Sequence, residues 1–254
     1  MLAGADLIAA EDTRVSAKLL ALHGIRNALT SYNDHNAGRE RPGLLAKLRA
    51  GGRVALISDA GTPLVSDPGF KLVREALAEG IAVHAVPGAS AVLTGLMLAG
   101  LPSDRFLFAG FLPSRDAERA SVLEELKALR ATLIFFESAQ RLGDSLAAMA
   151  KILGPREAVM ARELTKLHEE VRRGTLETLA AHYTSSPPPK GEVTLLVGPP
   201  GESKADFSKI ETALDAALPF MPLKAASEMI AALLDMPRKE IYALGLEKKN
   251  AQQA

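Results

Sequence analysis

Three stretches of this chain concentrate residues that can do chemistry. The first, "SDAGTPLVSDPGF" (58–70), puts two aspartates, two glycines and two prolines directly after the apolar run "RVALI". Most connections in compact α/β units need about 2–6 residues, so this one is oversized. It lies between an apolar strand and a helix, at the carboxyl end of the strand, where open α/β sheets take ligands. Asp59 there could face a cation or accept hydrogen bonds from a ribose. Gly61 and Gly69 let a ligand approach the main chain, and Pro63 and Pro68 stiffen the loop. The plainer alternative is a long connection whose Asp67 caps the following helix. "VPGASA" (86–91) repeats the logic at the next strand end, where Gly88 allows close approach and Ser90 either caps a helix or bonds a ligand. Two neighbouring loops of this kind imply a shared pocket.

The other two stretches are charged. In "EDTR" (11–14), Asp12 reads as a helix N-cap and Glu11 with Arg14 as a solvated pair. "ARELTKLHEEVRRG" (161–174) carries Arg162, Glu163 and Lys166 at the turn between two strands, on the plainest reading a charged hairpin tip. "SYNDHN" (31–36) is a polar loop. "VTLLVGPPGESKAD" resembles a phosphate-binding loop, but the pattern from Gly198 needs glycine at 203 and a hydroxyl at 205. The chain has Ser203 and Ala205 there, so the stretch reads as a linker.

Strand-like and helix-like runs alternate around these stretches. "DLIAA", "RVALI", "IAVHAV" and "RFLFAGF" read as strands of a mostly parallel sheet covered on both faces. The intervening helices include "TRVSAKLLALHG", with Val15, Leu19, Leu20 and Leu22 as its apolar face, and "FKLVREALAEG", with Leu72, Val73, Ala76 and Leu77. "FLPSRDAER" (111–119) breaks the alternation. Beyond it, "ATLIFFE", "EAVMARE", "KLHEEVRRG" and "EVTLLVG" read as strands with antiparallel neighbours, among helices. The tail has three helices and no strand, the last two with helix-turn-helix spacing around Met236 and Pro237. The chain thus divides into an α/β domain (1–111), a second α/β domain with a mixed sheet (112–200) and a helical extension (206–254).

Composition narrows the function classes. With 254 residues, 48% hydrophobic and 24% charged, the chain can bury a large core. It has no cysteine and no histidine pair at metal-ligand spacing, so no metal is expected. Thirty basic and thirty acidic residues leave no net charge, which argues against a nonspecific nucleic-acid binder but leaves room for a local basic patch. No run reaches the ~18 apolar residues of a membrane span, and the start lacks a secretory signal, so a cytoplasmic location is expected.

Taken in order, "ADLIAAEDTR", "SYNDHN", "VALISDAGTPLVSDPG", "VPGASA", "FAGFLP", "FFESAQRL" and "ARELTKLHEE" resemble the ribosomal RNA small subunit methyltransferase I family. That family is a branch of the tetrapyrrole-methylase-like (class III) S-adenosylmethionine methyltransferases. The likeness spans nearly the whole chain, and the tail is similar to the family's helix-turn-helix extension. It implies a two-domain fold with S-adenosylmethionine in the cleft between domains, usually in a homodimer. It also implies methyl transfer to the ribose 2′-hydroxyl of a cytidine in rRNA of the 30S subunit. On this chain, Asp59, Ala60, Gly61, Thr62, Ser90 and Ala91 should line the cofactor from the first domain. Phe136, Ala161, Arg162, Glu192 and Val193 should complete it from the second. The family opens with a strand and a "TPIGN"-type loop; this chain starts at the element that follows. The resemblance therefore implies an N-terminally truncated member, with apolar surface exposed on the first sheet and one pocket wall lacking.

A sulfonium methyl is already reactive, so the protein's task is to align the acceptor oxygen and exclude water. A ribose hydroxyl is a weak nucleophile, and a base or cation beside it should help. Asp12, Arg14, Glu163 and Lys166 are the catalytic candidates. Arg14, Arg39, Arg41, Arg115 and Arg119 are candidate phosphate contacts, with a solvated surface as the alternative for each. The competing readings are a tetrapyrrole methylase of the same fold and an inactive RNA- or ribosome-binding module.

Overall fold

The computed structural model describes residues 1–201, 207–234 and 236–251. The chain separates into Met1–Pro199 and Pro200–Ala254. The first unit holds two sheets. In the first sheet β1 (Leu7–Ala10) lies between β2 (Leu29–Ser31) and β3 (Val54–Ile57), all parallel. Helices α1 (Thr13–Leu22), α2 (Ala37–Arg49) and α3 (Phe70–Ala78) connect and flank these strands. Leu44, Leu45, Leu72 and Ala76 from α2 and α3 pack with Ala9 and Tyr32 in one core.

Three features of this region differ from the sequence reading. "IAVHAV" forms no strand: 81–86 has no ladder partner, and Val83 and Val86 are 44% and 65% exposed. β-propensity alone does not make a strand, because its backbone groups need a neighbour, and among the described residues β3 pairs only with β1. Helix α1 buries Ser16 and Leu20, while Val15, Leu19 and Leu22 stay exposed, so its covered stripe is narrower than its apolar residues suggested. In α3, Leu72 and Ala76 are buried but Leu77 is exposed.

The second sheet has the order β4-β5-β8-β6-β7, with β4 (Phe106–Phe111) parallel to β5 (Thr132–Ser138). The pairs through β8 (Glu192–Val197), β6 (Glu157–Arg162) and β7 (Glu170–Thr175) are antiparallel. Period-2 alternation splits its side chains between two cores. Leu133, Phe135, Ala158, Met160, Val193, Leu195 and Val197 face α5 (Asp116–Leu126), α6 (Leu142–Leu153) and α7 (Leu176–Ser185). Ile134, Phe136, Val159, Ala161 and Leu196 face α4 (Ala91–Ala99), through Val92, Leu96 and Ala99. This mixed sheet and the parallel one give the expected fold class, but "RFLFAGF", expected in the first sheet, is β4 and pairs with β5 in the second.

One buried ionic network ties the end of β5 to the segment after β4. The Glu137 carboxylate has no side-chain exposure and pairs with Arg141 at 2.6 Å. It also accepts from Ser145 Oγ at 2.5 Å and from the Ser138 amide at 2.7 Å. Arg141 in turn donates to the Leu112 carbonyl at 3.1 Å, fixing the segment after β4. Glu137→Gln should cost about 2 kcal/mol, since an amide turns a donor toward donors and forfeits charge-assisted bonds. A urea unfolding curve with a lowered midpoint and an unchanged m-value is the expected readout.

The C-terminal unit is described separately. Helices α8 (Phe207–Ala217), α9 (Leu223–Leu234) and α10 (Arg238–Ala251) close over Ile210, Leu214, Ala226, Ile230 and Ile241. Ser203 and Ala205 of the phosphate-loop-like stretch lie outside the described residues.

Candidate active site

The oversized loop follows β3 and leads into α3, as its sequence position implied. Its backbone is constrained throughout: Leu64 and Ser66 have φ of 73° and 61°, a region non-glycine residues enter only when the surroundings hold them. The Thr62 hydroxyl donates to the Ala89 carbonyl at 2.8 Å, so this loop and the one before α4 meet. Ser90 caps α4, its Oγ accepting from the Leu93 amide at 3.4 Å. That tie brings Asp59, Ala60, Gly61 and Thr62 to the same end of the fold as Ser90 and Ala91.

Strand register assembles the other group. Phe136 and Ala161 both sit opposite Thr194, so one row across β5, β8 and β6 carries them on the α4 face. The next row pairs Val193 with Glu137 and with Arg162. Val193 is 3% exposed and turned toward α6 and α7, so only its backbone remains for a ligand. Phe136 is held edge-on by Phe108 and Phe111, with ring centroids at 4.7 and 5.7 Å. The two groups lie near each other: the Glu192 charge reaches Asp67, and Ser66 Oγ would stand 3.8 Å from a Cβ built at Gly110 of β4.

The charged candidates are held in local pairs. Asp12 caps α1, accepting from the Arg14 amide at 2.8 Å, and also binds the Arg14 guanidinium at 2.6 Å. These bonds from Arg14 hold the Asp12 carboxyl down at about 2. The plain reading of Asp12 as a cap therefore holds, while the expected partner of Arg14, Glu11, faces elsewhere. At the tip of β6, Glu163 (φ 49°) accepts from the Glu192 amide and from Lys166 Nζ, each at 3.0 Å. Lys166 reaches Glu192 Oε2 as well, at 2.8 Å. The Glu192 amide and then Lys166 keep the Glu163 carboxyl below its ordinary value. Gly191 (φ +100°) makes this possible, because a Cβ there would stand 2.5 Å from the Glu163 carboxylate. Arg162 bridges Glu170 at 3.0 Å and donates to the Lys190 carbonyl.

Sequence reasoning misses the acidic centre between these pairs. The sequence reads Asp67 as a helix cap, but Gly69 occupies the cap position of α3. Asp67 instead turns inward; its Oδ2 is buried with no hydrogen-bond partner. The Ser58 hydroxyl has one proton and three acceptors around it: the Ala60 carbonyl at 2.9 Å, Glu11 Oε2 at 3.5 Å and the Asp67 carboxylate. Burial first, then the neighbouring carboxylates, raises the pKa of both Glu11 and Asp67. Among the described residues neither Glu11, Asp59 nor Asp67 forms an ion pair. A buried carboxylate oxygen without a donor fits a ligand that brings donors and positive charge. S-adenosylmethionine brings both, in its ammonium, its sulfonium and its ribose hydroxyls.

Residues 1–180 match the tetrapyrrole (corrin/porphyrin) methylases, and residues 204–249 match the RsmI C-terminal HTH domain. A ribosomal RNA small subunit methyltransferase I from Mesorhizobium japonicum is 51% identical over 251 residues, covering 98% of this chain and 85% of that protein. The chain belongs to the ribosomal RNA small subunit methyltransferase I family. Its counterpart from Haemophilus influenzae is 42% identical, covering 95% of this chain and 87% of that one. Solved structures share the fold at low identity. Diphthine synthase superposes with a TM-score of 0.59 at 17% identity, covering 78% of this chain and 81% of its own. Cobalt precorrin-4 methyltransferase superposes at 0.56 and 18% identity, covering 78% and 85%. Membership makes this chain a methyltransferase that uses S-adenosylmethionine.

The phosphate-contact candidates divide. Arg14, Arg39 and Arg115 have side chains 88%, 80% and 82% exposed. Arg41 and Arg119 do not face solvent freely. Arg41 is 20% exposed and pairs with Glu75, and Arg119 is 9% exposed and pairs with Asp116. Both long side chains lie along the fold with their stems covered.

Proposed function

We propose that this chain methylates the ribose 2′-hydroxyl of a cytidine in small-subunit (16S) rRNA. The observation that carries the reading is identity to rRNA methyltransferases along almost the whole chain, including the helical extension. S-adenosylmethionine supplies an electrophilic methyl group on sulfur. Asp59, Ala60, Gly61, Thr62, Ser90 and Ala91 line one side of its site, with Asp67 added as the charged acceptor. Phe136, Ala161, Arg162, Glu192 and the Val193 backbone form the other side. Asp12 with Arg14, and Glu163 with Lys166, hold the rims of the site in fixed geometry. The enzyme works in the cytoplasm, as a homodimer. Among the described residues no helix is long and apolar enough to cross a membrane.

Tritiated methyl transfer to immature 30S subunits, with a porphyrinogen as the rival acceptor, tests the reading. Label at a 2′-O-methylcytidine supports it, and label in the porphyrinogen alone overturns it. Arg14, Arg39 and Arg115 provide the phosphate contacts. Changing each to Gln should weaken 30S binding and reduce the slope of log K against log salt by about 0.7–0.9 for each phosphate no longer neutralised. Calorimetry with S-adenosylmethionine should give the same affinity for the Arg39→Gln and Arg115→Gln variants, which leave the Asp12–Arg14 pair at the rim of the site intact.

A further inference from the structure

We propose that Glu11 takes the proton from the acceptor hydroxyl during methyl transfer; the assignment rests on the acceptor being a ribose hydroxyl. Glu11 follows directly on β1, the central strand of its sheet, and its carboxylate lies at the end of β3. It stands beside the loop assigned to the cofactor, with Oε2 3.5 Å from both Ser58 Oγ and the Asp59 amide. Both contacts lie beyond the usual 2.7–3.2 Å range, so its lone pairs are weakly committed.

The competing carboxylates are committed or assigned elsewhere. Asp12 carries the Arg14 guanidinium and caps a helix. Glu163 carries Lys166 and the Glu192 amide. A carboxylate already neutralised by a cation binds a further proton poorly, and releasing the cation first adds to the barrier. Asp59 is assigned to the cofactor; its Oδ1 contact with the Asp12 amide, at 3.3 Å, is also beyond that range and does not by itself occupy it. Asp67 has its free oxygen buried away from solvent. Glu11 is half-buried, has no cation on it among the described residues and faces neighbours of its own charge. Burial and those neighbours push its proton affinity up, which suits a base.

The step balances. The hydroxyl proton passes to Glu11 as the oxygen bonds the methyl carbon. The carbon–sulfur bond breaks with its electron pair left on sulfur, giving the neutral thioether. Glu11 then returns the proton to water.

The experiment compares wild type, Glu11→Gln and Glu11→Asp. Glu11→Gln should lower kcat on 30S subunits about 10²–10⁴-fold, while calorimetry finds S-adenosylmethionine affinity within about twofold of wild type. The acidic limb of the pH–rate profile should persist in Glu11→Asp and vanish in Glu11→Gln. Carbon-13 titration of labelled glutamates in the ligand-free protein should show one resonance, absent from Glu11→Gln, titrating above the ordinary carboxylate range. An unchanged kcat in Glu11→Gln overturns the assignment. So does a fall in cofactor affinity as large as the fall in rate, or a resonance that titrates at or below the ordinary range. A wild-type enzyme that methylates no ribose would instead overturn the substrate reading beneath it.

Discussion

Asp67→Asn should weaken S-adenosylmethionine binding about 10–100-fold and raise the melting temperature of the ligand-free protein. The two effects share one cause. Asp67 holds a carboxylate oxygen that is buried and receives no hydrogen bond from the protein. A hydrogen bond to a charged group contributes about 1.5–3 kcal/mol, and its loss from the complex corresponds to about 10–100-fold in affinity. In the ligand-free state the same oxygen is a cost. Burial, with the charges of Asp34, Asp59 and Glu192, raises the Asp67 pKa above its ordinary 3.8. A carboxyl whose folded pKa is raised binds its proton more tightly in the folded state. Its contribution to stability is complete below about 3.8 and is lost as pH rises through the folded value. Asparagine has no charge to desolvate, so the variant should gain most at neutral pH and converge on wild type as pH falls toward about 4. Thermal melts across that range, with calorimetry at neutral pH, provide the check. An Asp67→Asn protein that binds the cofactor as wild type does would remove Asp67 from the site.

The unusual loop at 58–70 is legible in the sequence because its chemistry is local. Dense Gly, Pro and Asp after an apolar run mark an unusual backbone whatever the rest of the chain does. Asp67 is not legible, since the same residue at the same spacing serves as a cap in many helices. Only the path of the loop decides which way it turns. The row of Phe136, Thr194 and Ala161 is out of reach for a different reason. It depends on β8 inserting between β5 and β6, a non-consecutive order that periodicity does not encode. Helix α2 is hidden because Pro42 and its charged residues mask the stripe of Leu44, Leu45 and Leu48. The strand expected at 81–86 fails from the opposite side: its pattern is right, but no neighbour pairs with it.

Of the charged candidates, the structure separates groups that hold position from groups that remain available for chemistry. Asp12 and Glu163 are the more conspicuous in the sequence, each next to a cation, and that cation is what occupies them. Among the described residues Glu11 and Asp67 have no cation, and burial first, then the neighbouring carboxylates, raises their proton affinities. Carboxylates kept apart from arginine at a strand end suit a cationic methyl donor and a proton to be removed.

Gly69→Ala should unfold at a urea midpoint reflecting a loss of about 2–6 kcal/mol, and should bind S-adenosylmethionine more weakly. Gly69 has φ +132° and ψ −24°, a conformation that a Cβ makes costly by about 1–3 kcal/mol. A Cβ there would also stand 2.6 Å from Leu56 Cδ2 and 3.1 Å from Leu64 Cδ1. Leu56 packs against the core under the first sheet, and Leu64 is itself held at φ 73°. Relief therefore pushes either the β3 side chain into its core or the loop outward, and overpacking of this kind costs about 1–3 kcal/mol more. An outward loop shifts Asp67, two residues before Gly69, and with it the acceptor proposed for the cofactor. A double-mutant cycle separates the two contributions. In a Leu56→Ala background the Cδ2 contact is gone, so Gly69→Ala should cost only the conformational part and the milder 3.1 Å contact with Leu64, with a favourable coupling of about 1 kcal/mol or more. Equal costs in both backgrounds would mean that Leu56 does not brace the loop, leaving the backbone conformation and the Leu64 contact as the reasons for glycine.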